Sequence, residues 1–210
     1  MKLFRRIRRV CCLAAALMTA AGCCLAETDL RVEDRGLDLS DEISIHYPAI
    51  TGTEDAALEE QINEQIQQDN RIREYLARAA QLISGGSLKT EWTGGITGED
   101  LFSCTVSAGG ALETTRTTHA QTGSNIDLQD GHEITLQELF TDETEARETI
   151  ESYLEEEVAP DMSAHLQNSE VTPMPEAFVI EPAGLRLLYP VDKLSTLNDR
   201  AGDIRIGWTS

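Results

Sequence analysis

From Asp55 to Ile83 the apolar residues Leu58, Ile62, Ile66, Ile72, Leu76, Ala79, Ala80 and Ile83 fall on one face of a helix. A stripe of that length must be buried against another element, and the rest of the chain offers strands to bury it. Thr51-Gly52-Thr53-Glu54 supplies a capping box before the helix, and Ser84-Gly85-Gly86 stops it. The spacing therefore predicts one long helix over 55–83, lying on a sheet.

The strands are read from alternation. Ile43, Ile45 and Tyr47 alternate with Ser44 and His46, so 42–48 is a strand ended by Pro48. Segments 88–93, 101–107 and 112–121 read as strands, with Gly94-Gly95 and Gly109-Gly110 as the turns between them. Ile126 and Leu128 begin another strand, and Asp130-Gly131 is a hairpin turn before Ile134 and Leu136. Asp142, with Glu145 three residues on, caps a second, shorter helix whose stripe is Ala146, Ile150, Tyr153, Leu154 and Val158. Its other face is almost all glutamate, a solvated face that includes Glu151 and Glu155. Segment 159–175, with three prolines, reads as a loop, and strands over 178–180, 185–189 and 204–208 close the chain. The expected fold is α+β: an antiparallel sheet packed against one long helix and a second shorter one.

The N-terminus carries an address. Five cations (Lys2, Arg5, Arg6, Arg8 and Arg9) precede a short apolar run from Val10 to Ala21, with no acid before Glu27. This is the layout of a secretory signal, and the run is too short for a stable membrane span. Ala20-Ala21-Gly22-Cys23 resembles a lipobox, which would make Cys23 a lipidated N-terminus. Cys24-Leu25-Ala26 is an acceptable ordinary cleavage site, so both positions stay open. The expected product is either a lipoprotein on the outer face of the cytoplasmic membrane or a secreted protein. Residues 27–41, acidic and weakly patterned, read as a tether with a short strand at Leu30 to Val32.

Charge excludes some partners. After Ala26 there remain 12 Lys and Arg against 37 Asp and Glu, a formal net charge of −25. Such a surface repels nucleic acid and anionic lipid headgroups and attracts basic partners, with strong salt dependence. Of the five cysteines only Cys104 lies in the body, so no intramolecular disulfide framework forms and stability must come from a packed core. Cys104 alternates with Phe102 and Val106, which makes it a buried small hydrophobe rather than a nucleophile.

No catalytic motif is present: there is no Gly-x-Ser-x-Gly, Ser-x-x-Lys or His-Glu-x-x-His, and the glycine pairs lack the lysine of a phosphate cradle. His46, His119, His132 and His165 are scattered, although strand pairing would bring His46 and His119 together in one arrangement of the sheet. Trp92 and Trp208 read as core residues before they read as stacking platforms. The chain is expected to be non-enzymatic, with no cofactor and no metal.

Three stretches carry a resemblance. Ile45-His46-Tyr47-Pro48-Ala49-Ile50, followed by Leu58, Ile62-Asn63 and Ile66, resembles the start of the PdaC-type domain that accompanies some peptidoglycan deacetylases. Gly109-Gly110-Ala111, then Ile126-Asp127-Leu128, Gly131 and Ile134-Thr135-Leu136-Gln137-Glu138-Leu139-Phe140, is similar to that family's glycine turn, strand and helix start. Phe178-Val179-Ile180, Gly184-Leu185, Leu188-Tyr189-Pro190 and Ala201 to Ile206 are similar to the companion RsiV-like domain, named for an anti-sigma factor whose extracellular part senses lysozyme. The resemblance divides the chain into 1–26 signal, 27–41 tether, 42–130 PdaC-type domain and 131–208 RsiV-like C-terminal domain.

One position departs from the pattern: Leu112 stands where the family usually carries histidine, so a polar role there is absent. The 210 residues contain neither a deacetylase catalytic domain nor a sigma-binding segment. What the resemblance implies is an extracytoplasmic binding or sensing module of the cell envelope, with a glycan fragment or a basic protein such as lysozyme as ligand. Its expected contacts are Gly109, Gly110, Glu151 and Glu155, with Cys23 as the lipid anchor. Two other readings compete: a metal-dependent envelope hydrolase or deacetylase using His46 and His119, and a surface or assembly protein without a small ligand.

Overall fold

The structure, a computed structural model, describes residues 30–82, 85–112, 116–140, 142–154, 174–189 and 202–207. Among the described residues eight strands form two sheets and three α-helices accompany them, which makes the protein α+β. The first sheet has five strands in chain order: β1 (Arg31–Ser40), β2 (Ile43–Thr51), β3 (Leu88–Thr97), β4 (Leu101–Leu112) and β5 (Arg116–Asp127). The second has three: β6 (Ala177–Glu181), β7 (Gly184–Tyr189) and β8 (Gly202–Gly207). The expected single antiparallel sheet is thus two sheets, and β2 pairs with β3 in parallel. Helices between β2 and β3 carry the chain back to the same end, which is what a parallel neighbour requires.

Those helices are α1 (Ala56–Asp69) and α2 (Ile72–Gln81) rather than one rod. Asp55 caps α1 by accepting from the amides of Ala57 and Leu58. At its other end the Asn70 side-chain amide donates to the Ile66 carbonyl at 2.9 Å, and Arg71 adopts a left-handed φ of 55°. An asparagine that takes up a terminal carbonyl, followed by a left-handed residue, ends a helix. α1 buries Ile62 and Ile66 against Ile50, Phe102, Cys104 and Ile126, and each such isoleucine contributes roughly 1.5–3 kcal/mol. α2 buries Ala79 on Ile43, Ile45 and Leu88. Asn63 ties α1 to β2: its side chain accepts from the Ile50 amide and donates to the Ile50 carbonyl, both at 2.8 Å.

The expected tether is a strand. β1 pairs with β2 along its whole length in antiparallel register, from Arg31 opposite Thr51 to Ser40 opposite Ile43. Most of its residues are exposed, including Leu37 and Leu39, so it lacks the apolar alternation by which strands are recognised.

After β5 a 3₁₀ turn (Leu136–Leu139) leads to α3 (Glu143–Tyr153), capped by Asp142 accepting from the Glu145 amide at 2.9 Å. Ala146, Ile150 and Leu154 pack on Phe178, Leu185, Leu187, Tyr189 and Ile204 of the second sheet. The two sheets meet where Asn125 of β5 bonds to the backbone of β6, and where the Arg186 guanidinium of β7 donates to Thr105 of β4 at 3.0 Å.

Candidate functional site

The break between α1 and α2 opens one side of a cleft of about 640 Å³. Asp69 and Arg71 stand on that side, Gln121 to Gly123 and Asn125 of β5 form the floor, and the segments around Glu133 and Pro175 to Phe178 close the rest. Half-buried Asp69 is held in place at both oxygens. One accepts from the Ser124 hydroxyl at 2.6 Å and the other from the Gln65 side-chain amide at 2.6 Å. The same Gln65 nitrogen donates to Glu133 at 3.2 Å, so a single neutral amide joins the two carboxyls.

Burial pushes the Asp69 carboxyl above its ordinary pKa, against the lowering hydrogen bonds from Ser124 and Gln65. Glu133 is raised by its partial burial first, then by the negative charges of Asp69 and Glu138. Arg71 at the rim is paired with Glu74 at 2.5 Å. The Gln121 side-chain oxygen is buried with no hydrogen-bond partner among the described residues, a state that costs roughly 1–3 kcal/mol. Both carboxyls on this wall are thus held above their ordinary pKa, Asp69 by burial and Glu133 by burial and neighbouring negative charge.

A second constellation lies across β1 and β2. His46 stands opposite Gly36, and Asp34 and Asp38 flank it two residues away on the same face. Its ring meets Asp34 through Nδ1 at 2.8 Å and Asp38 through Nε2 at 3.1 Å. Gly36 leaves room for the imidazole, since a Cβ there would lie 2.6 Å from the ring nitrogen and force the ring to move. The Trp92 indole donates to the other Asp34 oxygen at 2.6 Å, so Trp92 is a half-exposed clamp rather than a core residue. The aspartates raise the His46 pKa, through the Asp34 hydrogen bond first and then that of Asp38. Burial pushes Asp34 up, but the bonds from Trp92 and His46 and the imidazole charge together outweigh it and hold it below its ordinary value.

The stabilisation from His46 is thus complete below the ordinary imidazole pKa and is lost as pH rises through the raised folded value. That from Asp34 is present above the ordinary carboxyl pKa and is lost as pH falls through the lowered one. Thermal melts should therefore show the wild type losing stability relative to His46→Gln between about pH 6 and about pH 8. A constant difference across that range would sink the assignment.

The sheet order separates the histidine pair of the hydrolase reading. β3 and β4 lie between His46 on β2 and His119 on β5, roughly 14 Å at about 4.8 Å per strand. Asp127, Asp130 and His132 do converge, with one ligand atom from each within 4.8 Å of the others. These groups are engaged in the turn itself. Asp127 accepts from the Gln129 amide at 2.8 Å, and Asp130 accepts from the His132 amide at 3.0 Å and meets its ring at 2.8 Å.

Gly109 and Gly110 are not a turn; both lie inside β4. Gly110 is glycine because a Cβ would lie 2.2 Å from the Ser87 carbonyl oxygen. Glu151 is half-buried on α3, and none of these three lines the cleft. Leu112 ends β4 opposite Arg116. Glu155, Cys23 and the whole leader, with Ile83, Val158, His165 and Trp208, lie outside the described residues. Among the described residues no helix is long and apolar enough to cross a membrane. Cys104 is buried, and burial pushes its thiol up to about 12, which leaves it inert. Asp69, Gln121 and Glu133 were not legible as site residues. The apolar pattern carries no sign of them, since the stripe from Leu58 to Ile83 keeps its phase across Asp69-Asn70.

Comparison with known proteins finds no matching family model and no matching curated protein. Solved structures do match. A DUF3298 family member from Bacteroides fragilis superposes with a TM-score of 0.66 at 13% identity, over 86% of this chain and 91% of that one. A DUF3298 family protein from Pseudomonas aeruginosa PAO1 gives 0.61 at 9% identity, over 85% and 91%. At these identities the shared property is the fold.

Proposed function

We propose that this chain is a non-enzymatic binding or sensing module of the cell envelope, exported by its N-terminal leader, and that it takes its ligand in the cleft between the two sheets. The observation that carries this reading is the pairing of Asp69 and Glu133 through one neutral amide on the wall of that cleft. Such a site favours a ligand that brings positive charge, and the −25 formal charge of the chain after Ala26 favours a basic protein in the same way. The similarity of Ile45 to Ile66 and of Phe178 to Ile206 to the PdaC-type and RsiV-like domains supports a basic protein such as a lysozyme as the ligand. Neighbours of the DUF3298 fold are compatible with it. A lipid anchor at Cys23 would hold the module on the outer face of the cytoplasmic membrane; cleavage after Ala26 would release it.

Calorimetric titration of the purified protein with a basic lysozyme tests the reading. Binding is expected at about 20 mM salt and should weaken at least about tenfold by about 200 mM, because attraction between opposite surface charges is screened over about a Debye length. Absence of binding at the lower salt would remove the basic-protein reading.

A further inference from the structure

We propose that the cleft takes an extended segment of the partner polypeptide, which adds to the five-stranded sheet as a further strand on the open edge of β5. This rests on the reading of the cleft as the ligand site and adds the form in which the ligand enters. Successive side chains of a strand point to opposite faces of its sheet. Yet the consecutive residues Ala120 to Gly123 all line the cleft, with Asp69 and Arg71 flanking it on one face and Pro175 to Phe178 on the other. A space bounded in that way lies along the edge of the strand, and β5 is the last strand of its sheet.

One end of that edge is already paired. The Asp127 amide donates to the His132 carbonyl at 3.0 Å and the Ile134 amide to the Asn125 carbonyl at 2.7 Å, an antiparallel bridge centred on Ile126 and Glu133. At Thr135 the chain turns away into the 3₁₀ turn, and the cleft lies on the line that a longer strand would have followed. The bridge also fixes which groups are open. Asn125 and Asp127 present their backbone away from β4, so by alternation Gln121 and Gly123 do the same, while Thr122 and Ser124 are turned to β4. Among the described residues no backbone bond reaches the outward groups of Gln121 and Gly123.

Opposite residues of an antiparallel pair share a face. Residues of the added strand that bond to Gln121 and Gly123 therefore lie on the β6 side, as Ile134 does opposite Asn125. The alternate ones lie on the α1 side, as Glu133 does beside Gln65. The β6 side offers Pro175 and Ala177, whereas the α1 side is acidic and its Arg71 is already paired with Glu74. The segment that fits alternates apolar and cationic residues, and the backbone ladder supplies its affinity.

The test is amide hydrogen exchange, read by NMR on the purified protein, with acetyl-Arg-Val-Arg-Val-Arg-amide as the probe. Without peptide, the Gln121 and Gly123 amides should exchange at least about tenfold faster than those of Thr122 and Ser124. Saturating peptide should slow the first pair at least about tenfold and leave the second unchanged. Methylating the valine nitrogens of the peptide removes its bonds to β5 and should abolish binding, whereas methylating the arginine nitrogens leaves those bonds intact and should preserve it. Gln121→Pro removes one outward donor without touching the ladder to β4, and should weaken the peptide at least about tenfold. Equal binding of the two methylated peptides would overturn the inference, and so would a peptide that leaves Gln121 and Gly123 in fast exchange; neither readout depends on the proline variant folding. Lysozyme bound equally by wild type and Gln121→Pro, with no peptide on the edge, defeats this inference while leaving the proposed function standing. Peptide on the edge with no lysozyme bound at any salt supports the inference and defeats the basic-protein reading.

Discussion

Asn125→Ala should lower the stability of the protein by about 3 kcal/mol and its melting temperature by roughly 6–12 °C, without altering the helical content of the remaining fold. Asn125 is 2% exposed and sits on the face of β5 turned away from α1. Its amide nitrogen donates to the Phe178 carbonyl at 2.8 Å, and its oxygen accepts from the Ile180 amide at 2.7 Å. Phe178 and Ile180 are alternate residues of β6, an edge strand of the second sheet. One side chain thus does for β6 what a neighbouring strand would do, satisfying a carbonyl and an amide that an edge strand leaves open. Alanine would leave both backbone groups unpartnered in a buried place, where each missing bond costs roughly 1–3 kcal/mol.

Hydrogen exchange gives the specific readout: the Ile180 amide should lose protection while the β3–β4 ladder keeps it. A variant with unchanged melting and unchanged Ile180 protection would show that the sheets are held by packing alone. Asn125→Asp distinguishes the two bonds, since a carboxylate can accept from Ile180 but cannot donate to Phe178. It should be at least as damaging as alanine, because it also buries a charge against a carbonyl.

The same device appears at Asn63, and the comparison shows what the sequence could reveal. Asn63 follows Ile62 in the apolar stripe of α1, so its place on the buried face was readable, and its bonds to Ile50 follow from being polar there. Asn125 stands in a polar run, Thr122-Gly123-Ser124-Asn125, with no apolar neighbour to announce burial. The helix break was not readable, because the apolar positions from Leu58 to Ile83 keep to one face of a continuous helix, and the helix is stopped instead by Asn70 taking up the Ile66 carbonyl. β1 was not, because hydrophobic periodicity records burial, and this edge strand is held by its backbone ladder with little side-chain burial. The second sheet was legible strand by strand, since Phe178, Leu185, Leu187 and Ile204 are buried against α3. The cleft was illegible for a different reason. Asp69, Gln121 and Glu133 belong to separate elements, and long-range contacts such as Ser124–Asp69, Gln65–Glu133 and Asn125–β6 bring its walls together.

The glycines show most sharply what pattern alone leaves open, and they yield the largest single effect expected. Gly94 and Gly95 read as a turn, yet both lie within β3, paired with Cys104 and Ser103 of β4. At Gly94, φ is +148°, and a Cβ would lie 2.2 Å from the Ser103 carbonyl oxygen and 2.6 Å from the Cys104 Cα. Both obstacles are backbone, so no side chain can rotate away, and the β3–β4 ladder itself would have to separate. Gly95, one residue on, has nothing within 4 Å of where a Cβ would stand. Gly94→Ala combines backbone strain with overpacking and should cost about 3–5 kcal/mol. Gly95→Ala should be neutral, or stabilising by up to about 1 kcal/mol through the lost freedom of the unfolded chain. Guanidinium denaturation of the two variants side by side checks this, since composition, chain length and unfolded-state chemistry are matched. Equal losses in both would mean that β3 needs flexible backbone throughout. A loss confined to Gly94 would mean that the close approach of β4 alone selects glycine there.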